Sequence, residues 1–440
     1  MKKNSAVVIG AGLAGCEAAW QLARFGVDVT LVEQKPLAFS PAHREEGFAE
    51  LVCSNSLRAE GLANAVGLLK QEMRELGSLI MRAADETKVP AGGALAVDRK
   101  AFSEYVTNAV RSNGHIEVVT EQAEKIPEEG IAIVAAGPLA SGPLADDIAR
   151  RTNGMLSFFD AAAPIVTAES VDMGKAFWAS RYGEGSDYLN CPMNEEQYRA
   201  FWEALINAET AHMHGFEDDN VFEGCMPIET MAKRGFKTLC FGPLKPVGIT
   251  CPDGSKPYAV VQLRREDAEC RLFNLVGFQT HLKFGEQKRV FSMIPGLENA
   301  EFVRYGVMHR NTYIKSPGVL NEYYEMKSRP GLFFAGQITG VEGYIESASS
   351  GLLAGLFAAC DITGKQRPYF SRNTACGALA AYVSGYCGAD FQPMNITFGI
   401  LGRLESKARR RDVKLAVSER ALSEIRRIRD GVFNGVPSKS

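Results

Sequence analysis

VVIGAGLAGCEAAWQLARFGVDVTLVE, residues 7–33, decides the fold. Val7 to Ile9 reads as a buried strand, and Gly10, Gly12 and Gly15 form G-x-G-x-x-G at its end. A helix begins on the last of these glycines. It leads to a second apolar strand, Val29 to Val32, that stops on Glu33. Each part has a physical role. Gly10 permits the tight turn, Gly12 lets a pyrophosphate approach the backbone, and Gly15 lets helix and strand pack closely. The helix N-terminus presents unpaired N–H groups and the positive end of its dipole to phosphate. Glu33 follows about 20 residues on, where a carboxylate accepts hydrogen bonds from a ribose diol. Gly10, Ala11, Gly12, Leu13, Ala14, Gly15 and Glu33 are therefore the expected wall of an ADP-containing dinucleotide site.

Outward from that unit, residues 59–84 read as one helix, with Leu62, Val66, Leu69, Met73 and Leu76 at helical spacing. Residues 99–112 form another helix, feeding a strand at 115–119. Ile131 to Val134 is a continuous apolar strand that ends in Ala135-Ala136-Gly137-Pro138. Such an ending suits close passage beside a dinucleotide, so Gly137 joins the expected contacts. Beyond residue 150 the texture changes to short alternating strands separated by Gly- and Pro-rich loops, such as 258–263 and 272–276. The parallel-sheet pattern returns at Leu332-Phe333-Phe334-Ala335-Gly336, followed by a helix from about Ser350 to Cys360.

The expected fold is α/β: a Rossmann-like domain in two parts, 1–150 and 321–440, with an α+β domain inserted over 151–320. A late second strand–glycine–helix unit fits a long FAD lying across the sheet better than a simple nicotinamide dehydrogenase. Further cofactor contacts are expected from Gly336, Gln337, Tyr344, Ser350 and Gly351.

Composition sets outer limits. The 440 residues are 46% hydrophobic and 23% charged, as in a globular protein with a large core. A net charge of -3 argues against a general nucleic-acid coat but leaves room for a local basic patch. The tail 403–430 is such a patch, densest at Arg409, Arg410 and Arg411, and reads either as a solvated helix face or as an RNA phosphate contact. The ten cysteines include no C-x-x-C pair, so no zinc ribbon, thioredoxin-type pair or other metal site is expected. No run of about 18 apolar residues occurs, and the N-terminal apolar run is too short for a signal peptide. A cytoplasmic protein with reduced thiols, no membrane association and no obligate protein partner is expected.

Two cysteines stand out. Cys53 lies in ELVCSNSLR (50–58) and Cys225 in FEGCMPIE (222–229), both among polar and turn-forming residues. Nearby cations, Arg58 for the first and Lys233-Arg234 for the second, make each a candidate nucleophile. Cys16 reads as packing. Arg304 and the triplet His309-Arg310-Asn311 form a dense set of hydrogen-bonding side chains suited to a polyanionic or heterocyclic ligand.

These phrases, with FGPLKPVG, VGFQTHLKFGEQKRVFSMIPGLENAEFVRYGVMHRNTYI, GQITGVEGYIESASSGLLAG and QPMNITFG, resemble the TrmFO family over about residues 5–430. These are the folate- and FAD-dependent tRNA (uracil-5-)-methyltransferases, relatives of the flavoprotein MnmG. Thr397 and Gly402 depart from the family pattern, away from the cysteine and flavin motifs. The resemblance implies an enzyme that takes a one-carbon unit from 5,10-methylenetetrahydrofolate. It would reduce that unit with FADH2 regenerated by NADH or NADPH, and methylate C5 of a T-loop uridine in tRNA. It implies Cys53 and Cys225 as nucleophile and acid/base partner, in an order left open. Arg304, His309, Arg310, Asn311 and Arg409 to Arg411 become candidate RNA contacts. The alternatives are the same chemistry on a ribosomal RNA uridine, an FAD-dependent reductase that does not act on RNA, and a non-enzymatic flavin-stabilised RNA-binding protein. Disulfide reductases of this fold keep a close cysteine pair after the first βαβ unit, and Cys53 has no near partner.

Overall fold

The computed structural model describes residues 4–181, 185–211, 226–385, 391–404 and 413–433, and the backbone alone at 158–161 and 308–310. Five parallel strands form the central sheet, in the spatial order Leu332–Phe334, Ile131–Val134, Ser5–Ile9, Asp28–Glu33, Ile116–Thr120. The apolar runs Leu332–Phe334, Ile131–Val134 and Val7 to Ile9 follow from burial on both faces of the central sheet. Strands from residues 5 and 332 thus share one sheet, and the first and last parts of the chain build one core.

The helix Leu13–Arg24 crosses the long helix Tyr344–Thr363 at very close range. A Cβ on Gly351 would meet the backbone of Ala14, and one on Gly355 the backbone of Ala18. Only glycine permits that approach. The long helix is apolar enough to cross a bilayer, but its residues are buried inside the protein against this partner. It starts directly after Gly343, at φ 109°, six residues ahead of the start expected from the sequence pattern.

The single helix expected over 59–84 is instead a strand, Ser56–Ala59, and two helices, Ala65–Glu75 and Leu79–Glu86. Gly77 turns the chain at φ 77°, and the Ser78 hydroxyl caps the second helix by accepting from the Met81 N–H at 3.1 Å. The buried Glu17 carboxylate completes the break. It accepts from the Ser78 hydroxyl at 2.6 Å and the Ile80 N–H at 3.0 Å. Both helices bury their apolar faces in the same core, so the periodicity runs on across the interruption.

The inserted region carries a six-stranded sheet in the order Phe177–Ala179, Tyr188–Met193, Ala259–Arg265, Leu272–Leu275, Ile165–Thr167, Phe302–Arg304, with antiparallel pairing throughout. Val166, Leu189, Phe201, Val261, Phe273 and Phe291 belong to its separate core. The strands Met155–Ala161 and Met308–Ile314 pair with each other where the chain passes between the two parts. The C-terminal helix Val413–Val432 packs on Ala65–Glu75, and Arg426 and Arg429 pair with Glu75 there.

Candidate active site

The glycine turn opens onto a cleft of about 480 Å³, within the usual range for a ligand site. Gly10 sits at φ 100°, and a Cβ there would lie 2.5 Å from the Ala135 carbonyl oxygen. Gly15 lies against the Gly10 carbonyl and does not line the cleft. Gly12 differs from both, because a Cβ added there meets nothing within 4 Å. Its surface is the cleft itself. The helix that follows has no side-chain cap at Gly12, so its first N–H groups remain available to an anion.

Glu33 is buried and held from two sides. Its carboxylate accepts from the Ala11 N–H at 2.7 Å and the Lys35 N–H at 2.9 Å. The Ala11 N–H is thus committed to orienting the acid, and remaining lone pairs on Glu33 can take a diol. Gly137, at φ 73°, and the segment Gly336, Gln337, Gly343, Tyr344 complete the walls. These features fit a dinucleotide whose phosphates sit at the helix start. Two expected contacts belong behind the wall. The Ser350 hydroxyl accepts from the Gly336 N–H at 2.7 Å, fixing the strand end, and Gly351 faces Ala14.

Cys53 lines the same cleft, on a loop held by side chains from distant parts of the chain. The Tyr344 hydroxyl accepts from the Cys53 N–H at 2.6 Å and the Ser54 N–H at 3.2 Å. Arg99 donates to the Leu51 carbonyl and pairs with the buried Glu266, and Arg304 donates to the Val52 carbonyl. Arg264 is buried. It donates to Asn55 Oδ1 at 2.8 Å and to Ser54 Oγ at 2.7 Å. The Asn55 amide in turn donates to the Val97 and Arg265 carbonyls, at 3.0 and 2.8 Å.

The charge pattern follows from this packing. Burial lowers the pKa of Arg264 and of Arg304. Burial opposes the charged form of Arg99 as well, but the Glu266 carboxylate outweighs it and the net shift is upward. All three guanidinium groups act electrostatically on Cys53. Burial, reinforced by Cys53, pushes the Tyr344 phenol up, so it stays protonated. Arg58, the cation adjacent to Cys53 in sequence, is ion-paired with the buried Glu346. His43 also faces the cleft, with Nδ1 2.6 Å from Ser40 Oγ. Burial, then the Lys35 charge, pulls its pKa down to about 4, so the ring is neutral near pH 7.

The expected RNA contacts separate. Arg304 is half-buried and holds the Cys53 loop through the Val52 carbonyl, and Asn311 is buried in the cleft wall. His309 and Arg310 are placed by backbone only, on the strand Met308–Ile314. Cys225 and Arg409, Arg410 and Arg411 lie outside the described residues. Cys16 and Cys360 are buried core thiols; burial pushes Cys360 up to about 11. Arg99 and Arg264 carry no motif, and only the strand pairing of the inserted sheet brings Arg264 to Ser54.

Residues 5–366 match the family model of glucose inhibited division protein A. The methylenetetrahydrofolate–tRNA-(uracil-5-)-methyltransferase TrmFO of Acetivibrio thermocellus is 62% identical over 405 residues, covering 91% of this chain and 93% of that protein. The chain belongs to the TrmFO family. The TrmFO of Listeria monocytogenes serotype 4b is 58% identical over 432 residues, covering 97% of this chain and 99% of that protein. Among solved structures, Aquifex aeolicus GidA superposes with a TM-score of 0.72 at 17% identity, over 99% of this chain and 74% of that one. At that identity the likeness shows the fold, which TrmFO members thus share with GidA.

Proposed function

We propose that this chain methylates C5 of a tRNA uridine, in the T-loop, with 5,10-methylenetetrahydrofolate as one-carbon donor. The observation that carries the reading is that Cys53 shares one cleft with the Gly10–Ala14 turn and the Gly336–Tyr344 segment. A thiol of a TrmFO-family chain therefore faces the space a flavin dinucleotide would fill. Gly12, the start of the helix Leu13–Arg24 and Glu33 would hold the dinucleotide half, with Gly137, Gly336, Gln337 and Tyr344 along its length. When bound and reduced by NADH or NADPH, FAD supplies the acceptor for the one-carbon unit and the electrons that make it a methyl group.

The chain's own residues supply the rest. C5 of uracil is a weak nucleophile. A thiolate adding to C6 makes C5 enolate-like, and a base must later take the C5 proton so that the C6–S bond can break. Cys53 and Cys225 are the proposed pair for these two tasks, in either order. Positive charge beside a thiol favours its thiolate form, and Arg99, Arg264 and Arg304 supply that charge around the Cys53 loop. Tyr344 accepts from the loop's N–H groups and so fixes the backbone that carries Cys53 at the cleft.

The test follows the methylene carbon. Protein, labelled 5,10-methylenetetrahydrofolate and reduced nicotinamide are incubated with tRNA, with ribosomal RNA, or without RNA. Label in the tRNA as 5-methyluridine is expected. Label confined to ribosomal RNA would replace the substrate. Nicotinamide oxidation with no label in any RNA would leave a reductase.

A further inference from the structure

A second surface of the inserted domain has the composition of an RNA contact and lies at the rim of the same cleft. Phe241 is the most exposed large apolar side chain described, at 81%. Val247, on the same segment, is 49% exposed. A ring displayed that far from any core is not explained by packing. Its sequence neighbours are equally one-sided. From Thr230 to Pro252 the chain carries Lys233, Arg234, Lys237 and Lys245 and no Asp or Glu. Lys233 and Lys237 are exposed, and neither forms an ion pair among the described residues. In a chain whose net charge is -3, the exposed Lys233 and Lys237, on a segment that carries no acid, form a local positive surface.

The fold ties this surface to the cleft at two points. The Ile228 N–H donates to the carbonyl of Gln279 at 2.8 Å, and Gln279 lines the cleft. Pro243 packs so closely on Gly277, another lining residue, that a Cβ at Gly277 would overlap it. The helix Ile228–Lys233 and the turn after Phe241 are therefore braced against the rim.

We infer that the surface built by Phe241, Lys233 and Lys237 binds a single-stranded stretch of the RNA substrate, with phosphates on the cations and one unstacked base on the Phe241 ring. The inference rests on the proposed RNA substrate and adds where that RNA sits. Cations alone fit any polyanion. An exposed aromatic among them matches nucleic acid, because every base offers a π-face and stacking is tolerant of sequence. The acid-free segment disfavours a partner that would bring its own cations.

The test measures equilibrium binding of an unmodified tRNA transcript at several salt concentrations by fluorescence anisotropy. Wild type is compared with Phe241→Ala, Phe241→Leu, Phe241→Tyr and the double variant Lys233→Gln/Lys237→Gln. Retained flavin absorbance and an unchanged unfolding midpoint certify each fold. Phe241→Ala and Phe241→Leu are expected to weaken binding by about tenfold, and Phe241→Tyr to keep it, because stacking needs the ring. The double lysine variant is expected to flatten the slope of log affinity against log salt by about 1.5, from roughly 0.7–0.9 per phosphate contact. Affinity and slope at wild-type values in all variants would overturn the inference. So would a change in sedimentation with tRNA binding intact, which would make the patch a protein contact. Label transfer is scored separately. A protein that binds tRNA through this patch but transfers no label would sink the methyltransferase reading and leave the surface standing.

Discussion

Replacing Arg264 by methionine tests how Cys53 is held. The side chain lies on the strand Ala259–Arg265 of the inserted sheet, yet its guanidinium serves the loop of the other domain, through Asn55 at 2.8 Å and Ser54 at 2.7 Å. Methionine keeps most of the volume and removes both donors. A hydrogen bond to a charged group contributes about 1.5–3 kcal/mol, so the two bonds represent about 3–6 kcal/mol. Part of that is offset, because a buried charge no longer has to be desolvated. A net loss of about 2–4 kcal/mol in unfolding free energy is expected. The loop would then be free to shift, and a displacement of about 1 Å at a reacting group can cost on the order of a hundredfold in rate. The glycine turn is untouched, so flavin should stay bound. Urea unfolding, the visible flavin spectrum and methyl-transfer kcat are measured on one preparation. A variant that loses stability but keeps wild-type kcat would refute the positioning role. Flavin lost in step with activity would make Arg264 a general structural residue. Arg264→Lys keeps the charge and loses the fork, so near-wild-type kcat there would show that charge, not geometry, is what the loop requires.

Gly12→Val should fold normally, since its Cβ meets nothing within 4 Å, and should purify colourless because the added methyls fill the phosphate approach. Gly15→Val should fail to fold, since even a Cβ collides with the Gly10 carbonyl; soluble, yellow protein from either variant would refute that division. Cys53→Ala should lower methyl transfer by several orders of magnitude with flavin retained, whereas Cys360→Ala, a core thiol, should leave the rate unchanged. Acid should weaken the fold through His43. Its pKa is about 4 in the folded state against 6.5 unperturbed, so between those values the unfolded chain holds a proton that the folded chain lacks. Stability should therefore fall as pH drops from about 6.5 to about 4, by at most about 3 kcal/mol before solvent screening. His43→Asn should remove that component, and urea midpoints at pH 7 and pH 5 in both proteins decide it.

What could be read from the sequence divides along a physical line. Gly10, Gly12, Gly15 and Glu33 could be read because each meets a requirement of the backbone within one βαβ unit, over about 20 residues. Ser350 and Gly351 show the limit of that reading. A small residue near a cofactor and a small residue between two helices look alike in sequence, and only the crossing with Leu13–Arg24 separates them. The break at Gly77 was hidden for a related reason. Leu69, Met73, Leu76, Leu79 and Ile80 all face one core, so hydrophobic spacing continues where the helix does not. The environment of Cys53 lay furthest out of reach. Arg99, Arg264 and Arg304 arrive from three separate segments, two of them strands of the inserted sheet, and their meeting is set by strand pairing that no local pattern encodes. Arg304 stands out in the sequence only as a hydrogen-bonding side chain, and its hold on the Val52 carbonyl shows only in the fold. The same pairing gives the insertion its hold on the cleft. One edge of the insertion holds the loop that carries the thiol, and the turn after Phe241 is braced on Gly277 of the same cleft. Sliding the strand Ala259–Arg265 by one residue against Leu272–Leu275 would turn Arg264 to the opposite face of the sheet and release the Cys53 loop, while the glycine turn kept its shape.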